Sequence, residues 1–241
     1  TPADGSSAAS AQVVRLVTHV PARTLDAVGA GTVTGFSSAT RLTGAALTAG
    51  GRPEVLTVNM AWCPHCLANS WSLAIALSRF GTLTGLRQLD SGTYYGDTFK
   101  ADPSFPHTHG LSFLTARLKS SRLAFAGWVL QDLAGHGVQR LSRTEQRAVA
   151  VFDPRGLVPI VDVGGVYGFV GTGYATSLLA AHDWLGIARE LDRPASPIAR
   201  GIDGLANVLT AAICRATGGR PSAVCGSPGV RAARSHLPKP V

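Results

Sequence analysis

The chain has 241 residues, 45% of them apolar and 15% charged, enough apolar material for one large domain or two small ones and too much for a disordered chain. Its net charge of +8 rests on nineteen arginines and three lysines that are scattered and not interleaved with aromatics. That spacing speaks against nucleic-acid binding and leaves at most a loose attraction to anionic cell-surface polymers. The apolar runs are short and interrupted, unlike the ~20-residue apolar stretch of a membrane span, and no basic-then-apolar leader is visible after Thr1.

Residues 1–11 are small and polar and read as a flexible tether, downstream of any membrane anchor the native protein carries. Gln12 to Val20 reads as a first strand. Pro21 to Gly31 reads as a short helix opened by Pro21 and closed by Gly29 and Gly31. Residues 32–53, rich in Gly, Ser and Thr, read as irregular structure or a hairpin. Glu54 to Met60 alternates and carries β-branched residues, the pattern of a central strand. From Pro64 to Phe80 the period becomes helical, with Leu67, Trp71, Ala74, Ile75 and Leu77 at spacings of three and four, and Gly81 as the stop.

Leu86 to Leu89 reads as the next strand, parallel to the first, followed by a loop over residues 91–110. Leu111–Arg117 and Ser121–Val129 read as short strands about a Lys119-Ser120 turn. Leu141 to Val151 reads as a helix capped by Ser142 or Thr144, with Glu145 in its first turn. Leu157–Val163 and Val166–Val170 form a hairpin pattern about Gly164-Gly165. Helices follow at Ala175–Leu191 and at Pro197–Thr217, the second with an apolar stripe from Ile198 through Leu205 to Ile213 and a Gly218-Gly219 stop. From Gly226 the sequence is rich in Pro, Arg and Ser and reads as a flexible tail. Helices crossing between strands indicate an α/β sheet with a parallel part.

Four cysteines permit three pairings. Cys63 and Cys66 form a close pair that reads as a redox motif, while Cys214 and Cys225, with ten residues between them, read as a loop staple. A staple implies an oxidising compartment. The alternative for the late pair is a second dithiol relaying electrons to or from the first. Cys63 falls where a strand ends and a helix begins, so unpaired N–H groups and the helix dipole favour a thiolate there. Pro64 at the first helical position forfeits no hydrogen bond. His65, as an imidazolium, would add attraction for the Cys63 sulfur. Cys63, near the surface, is then the attacking sulfur, and Cys66, deeper in the first turn, resolves the mixed disulfide. Val158-Pro159 places a proline at the head of a strand, which is disfavoured unless the peptide bond is cis and serves the active site.

The Ala61-Trp62-Cys63-Pro64-His65-Cys66 stretch together with Val158-Pro159 resembles the thioredoxin superfamily, and its Pro-His dipeptide looks most like the periplasmic dithiol oxidases of the DsbA type. Residues 53–81 and 206–225 are similar to a bacterial and archaeal family catalogued only as a domain of unknown function, often membrane-anchored. That resemblance implies roles for Cys63, Cys66, Trp71 and a Cys214–Cys225 disulfide, and supplies no substrate. It implies a thioredoxin-like mixed sheet flanked by helices over residues 12–225. The 92 residues between Cys66 and Pro159 exceed what that fold needs and place an insert at about 91–150, between the active-site helix with its second strand and the proline hairpin. No equivalent of thioredoxin's buried acid is evident.

The function implied is a thiol–disulfide oxidoreductase of the cell envelope, extracytoplasmic and either anchored or secreted. Its partners would be protein dithiol or disulfide clients and a redox partner such as a membrane quinone-linked thiol oxidoreductase. Pro64 and His65 tune the Cys63–Cys66 pair, and Trp62, Val158 and Pro159 border the client. The pattern calls for no cofactor and no metal ligand set. The alternative is an envelope copper or zinc chaperone that holds its ion with Cys63 and Cys66. His107 and His109 form an HxH pair that reads as ordinary loop histidines.

Overall fold

The computed structural model describes residues 2–34, 40–42, 45–91, 107–151, 153 and 155–238. In chain order, β1 (Ser7–Ala8), α1 (Ala11–Thr18) and α2 (Ala22–Val28) lead to β2 (Thr40–Arg41), β3 (Thr48–Ala49), β4 (Arg52–Asn59) and α3 (Pro64–Ser78). Five strands follow: β5 (Thr82–Thr84), β6 (Arg87–Asp90), β7 (His109–Ser112), β8 (Arg117–Lys119) and β9 (Ala124–Val129). Then come α4 (Arg143–Ala150), the hairpin β10 (Ile160–Val163) and β11 (Tyr167–Val170), and α5 (Trp184–Glu190). The chain ends with α6 (Pro197–Ala216), α7 (Ser222–Cys225) and α8 (Pro228–Ala233).

The arrangement is the mixed α/β, thioredoxin-like one expected. β4 lies in the middle of the main sheet, parallel to β9 on one side and antiparallel to β10 on the other. β11 follows β10, β2 pairs with β11, and β3 turns back onto the start of β4. Side chains alternate across β4 and β10, so the sheet feeds two cores. Val55, Val161 and Val163 pack with α3 and α6, while Leu56, Val58 and Ile160 pack with Val149 of α4.

α3 is buried on nearly every side, which is why its residues are apolar or small all round. Ser72 Oγ donates to the Ile202 carbonyl of α6 at 2.8 Å, and Arg79 reaches Asn207 and Thr210, so the two helices run in the same direction. On its other flank α3 meets β7. The backbones come so close that a Cβ on Gly110 would lie 2.5 Å from the Leu67 Cβ and carbonyl. Trp71 is 0% exposed, and its indole N–H donates to the His109 carbonyl at 2.9 Å. Trp71→Ala is expected to cost about 3–5 kcal/mol, read as a drop in the denaturant midpoint.

Several expectations are corrected. Most of the stretch expected as a strand at 12–20 is helical, within Ala11–Thr18: Val13 and Val17, four apart, form one buried face, and Ser10 Oγ caps the helix by accepting from Val13 N. The helical period overrode the β preference of valine. The strand at 86–89 forms, but β6 pairs antiparallel with β1 and β7 instead of parallel with β4. The parallel neighbour of β4 is β9.

Consequently β9 and α4, both inside the insert expected at 91–150, belong to the main sheet and its second face. The additions are β5–β8, which form small sheets beside α3. The strands flanking Lys119-Ser120 do not pair with each other, since β8 joins β5 and β9 joins β4. The helix at 175–191 is interrupted: Thr176–Leu179 is a 3-10 turn, and Asp183 opens α5 by accepting from Gly186 N at 2.7 Å.

The tether is docked. β1 pairs with β6, and the buried Asp4 carboxylate accepts from Ser6 and Ser112. The tail is docked too, with Val230 and Ala233 of α8 buried in the core.

Candidate functional site: a dithiol at the start of α3

β4 ends at Asn59, three residues form a turn, and α3 begins at Pro64 with Cys63 as its N-cap. The Cys63 sulfur takes the place a serine or aspartate oxygen fills in other caps and accepts from Cys66 N–H at 3.3 Å. Pro64 occupies the first helical position, as the sequence indicates. Cys63 and Cys66 are free thiols, and Val158, across the cleft, brings its carbonyl to 4.0 Å from Cys63 Sγ. The Val158-Pro159 peptide bond is cis.

The two sulfurs differ in environment. Cys66 is 1% exposed and Cys63 4%, so both sulfurs are buried and Cys63 is more enclosed than the surface position expected. Burial pushes the Cys66 thiol well above its usual pKa, and the adjoining Cys63 pushes it further. The protonated state of Cys66 is therefore favoured. No carboxylate is among the groups that shift it. The hydroxyl of Thr57, buried in β4, is committed to the Ile160 carbonyl at 2.9 Å.

His65 departs from expectation. It is half-buried, and burial lowers its pKa below the ordinary imidazole value. The neutral ring is favoured at neutral pH, so the imidazolium expected beside Cys63 is disfavoured. Trp62 is half-buried beside the motif, and its indole N–H donates to Gln131 Oε1 at 2.8 Å. The Gln131 carbonyl also accepts from Ala61 N–H at 3.0 Å. Gln131 thus fixes the turn that delivers Cys63. Nothing in its local sequence signals this, because the contact depends on β9 lying beside β4.

Cys214 and Cys225 are joined in a disulfide with Cα atoms 5.5 Å apart. Ile202 lies level with Ser72 of α3, and Cys214 is twelve residues further along α6, about 18 Å at the helical rise. The disulfide therefore sits toward the opposite end of the helix pair from Cys63. Direct relay between the two cysteine pairs is excluded in this arrangement, because exchange requires sulfur-to-sulfur contact.

One buried acid escaped the sequence reading. Asp203 on α6 is 0% exposed, and neither carboxylate oxygen has a hydrogen-bond partner among the described residues. Burial pushes its pKa well above the carboxylate range, with Asp192 adding to the shift. The signal was a lone acid inside the apolar stripe, between Ile202 and Leu205. At pH values between the unfolded and folded pKa, the native state holds a proton that the unfolded chain has released, so raising the pH destabilises the fold. Asp203→Asn removes this dependence. Its stability advantage over the parent is expected to grow by up to about 1.4 kcal/mol per pH unit above pH 4. Urea titrations at several pH values measure it, and parallel curves for parent and variant would show Asp203 ionised in the fold.

His107 and His109 both face Asp90, at 3.0 and 3.6 Å, and the His109 ring also packs on Trp184. Among the described residues no group of three or more His, Cys, Asp or Glu is placed to hold a metal ion, and no helix is long and apolar enough to cross a membrane.

A family model described as a domain of unknown function (DUF929) matches residues 39–131. The match takes in β4, the Cys63–Cys66 motif, Trp71 and Gln131, and stops short of Pro159 and the Cys214–Cys225 disulfide. No curated protein and no solved structure matches the chain.

Proposed function

We propose that this protein is a thiol–disulfide oxidoreductase of the thioredoxin superfamily, working in an extracytoplasmic compartment and exchanging disulfides with protein clients through Cys63 and Cys66. The observation that carries the reading is the Cys63 sulfur capping α3, with the Cys66 N–H at 3.3 Å behind it and the Val158 carbonyl across from it. Helix-terminal N–H groups stabilise a developing thiolate, and a second thiol one turn along closes a reversible bridge. The Cys214–Cys225 disulfide supports the compartment, since such staples persist where thiols are oxidised.

The exchange is a two-electron transfer. A client thiolate attacks Cys63 Sγ of the oxidised protein, the Cys63–Cys66 bond breaks, and Cys66 leaves with the electron pair and takes up a proton. A second client thiolate then attacks the client sulfur of the mixed disulfide and releases Cys63. The client gains a disulfide and the protein becomes a dithiol. Reoxidation falls to a disulfide-bearing partner, for which a membrane quinone-linked thiol oxidoreductase is the class we propose.

The test is oxidation of a model dithiol peptide by the disulfide form of the protein. The parent is expected to turn over in a glutathione buffer, and Cys63→Ala to fall to the uncatalysed rate. Equal rates for the two proteins would remove the reading. Stoichiometric copper or zinc on the anaerobically reduced protein, lost with Cys63→Ala, would favour the metal chaperone instead.

A further inference from the structure

At the far end of α3 from Cys63, a cleft of about 600 Å³ opens between α1, α2, α3 and the α7–α8 segment. The size is that of a small-molecule site. Val20, Val224 and Pro228 give it accessible apolar walls, and Arg79 and Asp26 give it two opposite charges.

Arg79 is half-buried. Its Nη1 donates to Asn207 Oδ1 at 2.8 Å and to Thr210 Oγ1 at 3.4 Å, and its Nη2 donates to Ser227 Oγ at 3.2 Å. A guanidinium has five N–H donors, so Nε–H and one Nη2–H remain unassigned among the described residues. Asp26 attracts Arg79, and no ion pair joins the two among the described residues. Asp26 Oδ1 accepts from Gly229 N–H at 2.9 Å, and its second oxygen has no partner among the described residues. Burial brings the Arg79 pKa down to about 10, so the group stays charged at neutral pH.

We propose that this cleft binds a small zwitterion of the amino-acid class with an apolar side chain, its carboxylate on Arg79, its ammonium on Asp26 and its side chain against Val20, Val224 and Pro228. A bare carboxylate would bring negative charge against Asp26, and a bare amine would bring positive charge against Arg79. A zwitterion answers both and adds no net charge to an apolar-walled space. Ser227 Oγ, which accepts from Arg79, keeps its own proton to give to the carboxylate. The cleft stands apart from the dithiol and does not depend on the function proposed for it.

The test is calorimetric titration of the full chain with leucine, methionine and phenylalanine, compared with isocaproate, which lacks the ammonium, and leucine amide, which lacks the carboxylate. At least one amino acid is expected to bind with a Kd on the order of 0.1–1 mM, and both truncated analogues about tenfold more weakly. Asp26→Asn keeps the oxygen that accepts from Gly229. It is expected to lose about tenfold for the amino acid and nothing for isocaproate. Circular dichroism checks that this variant is folded. Absence of heat with all three amino acids at about 10 mM overturns the proposal, as does isocaproate binding as tightly as leucine.

Discussion

Cys66→Ser is expected to convert transient exchange into stable adducts, each a client protein joined to Cys63 by a disulfide. Reduced Cys63 attacks a client disulfide, one client sulfur leaves as a thiolate, and the mixed disulfide forms. In the parent, Cys66 attacks Cys63 Sγ, closes the intramolecular bridge and frees the client. A serine hydroxyl has no sulfur to give, so the adduct persists. The converse variant should trap little, because Cys66 is the more enclosed of the two and its thiol is pushed toward the protonated state by burial and by Cys63. Non-reducing electrophoresis of the two single variants, with the bonded cysteine identified by mass spectrometry, separates the roles. Adducts on Cys66 and not on Cys63 would invert them.

Removing the second cysteine pair is expected to act on stability alone. The disulfide between Cys214 and Cys225 closes a short loop, with a sequence separation of 11. In the chain-entropy account a closure of that size contributes roughly 3 kcal/mol. Cys214→Ser with Cys225→Ser should therefore lower Tm by about 6–12 °C for a chain of this length. The loop anchors α7 against the end of α6, and the Arg234 guanidinium reaches the Cys225 carbonyl at 2.7 Å, so the docked tail loosens with it. Exchange with a model dithiol, measured well below the new Tm, should keep the parent rate. A matching loss of exchange in the folded variant would restore the relay role that the length of α6 argues against.

The dithiol was legible in the sequence because its determinants are local. A β-branched run ending near Asn59, a proline at the first helical position and the three-residue spacing of the cysteines together fix Cys63 as the cap of α3. The Gly164-Gly165 hairpin and the capping box of α4, Ser142 with Glu145, were legible for the same reason. What failed depended on partners distant in sequence. Residues 12–20 carry four valines, and only the burial of Val13 and Val17 selects the helix. β6 was found as a strand, but its partners β1 and β7 are set by packing beside α3 and not by local pattern. The tail was misread because arginine, proline and serine suggest solvent, whereas Val230 and Ala233 anchor it from within. The charge state of His65 was misjudged because burial, which the motif does not encode, decides it. Residues 92–106, part of the expected insert, lie outside the described residues.

The central claim is that Cys63 and Cys66 open and close a disulfide reversibly in the folded chain. Its most direct measurement is differential alkylation in glutathione buffers stepped from reducing to oxidising and back, read by mass spectrometry on all four cysteines. The expected result is a single reversible two-electron transition confined to Cys63 and Cys66, with Cys214 and Cys225 protected throughout. Cys63 and Cys66 labelling as separate thiols in every buffer, or a transition at Cys214 and Cys225 instead, would contradict the account.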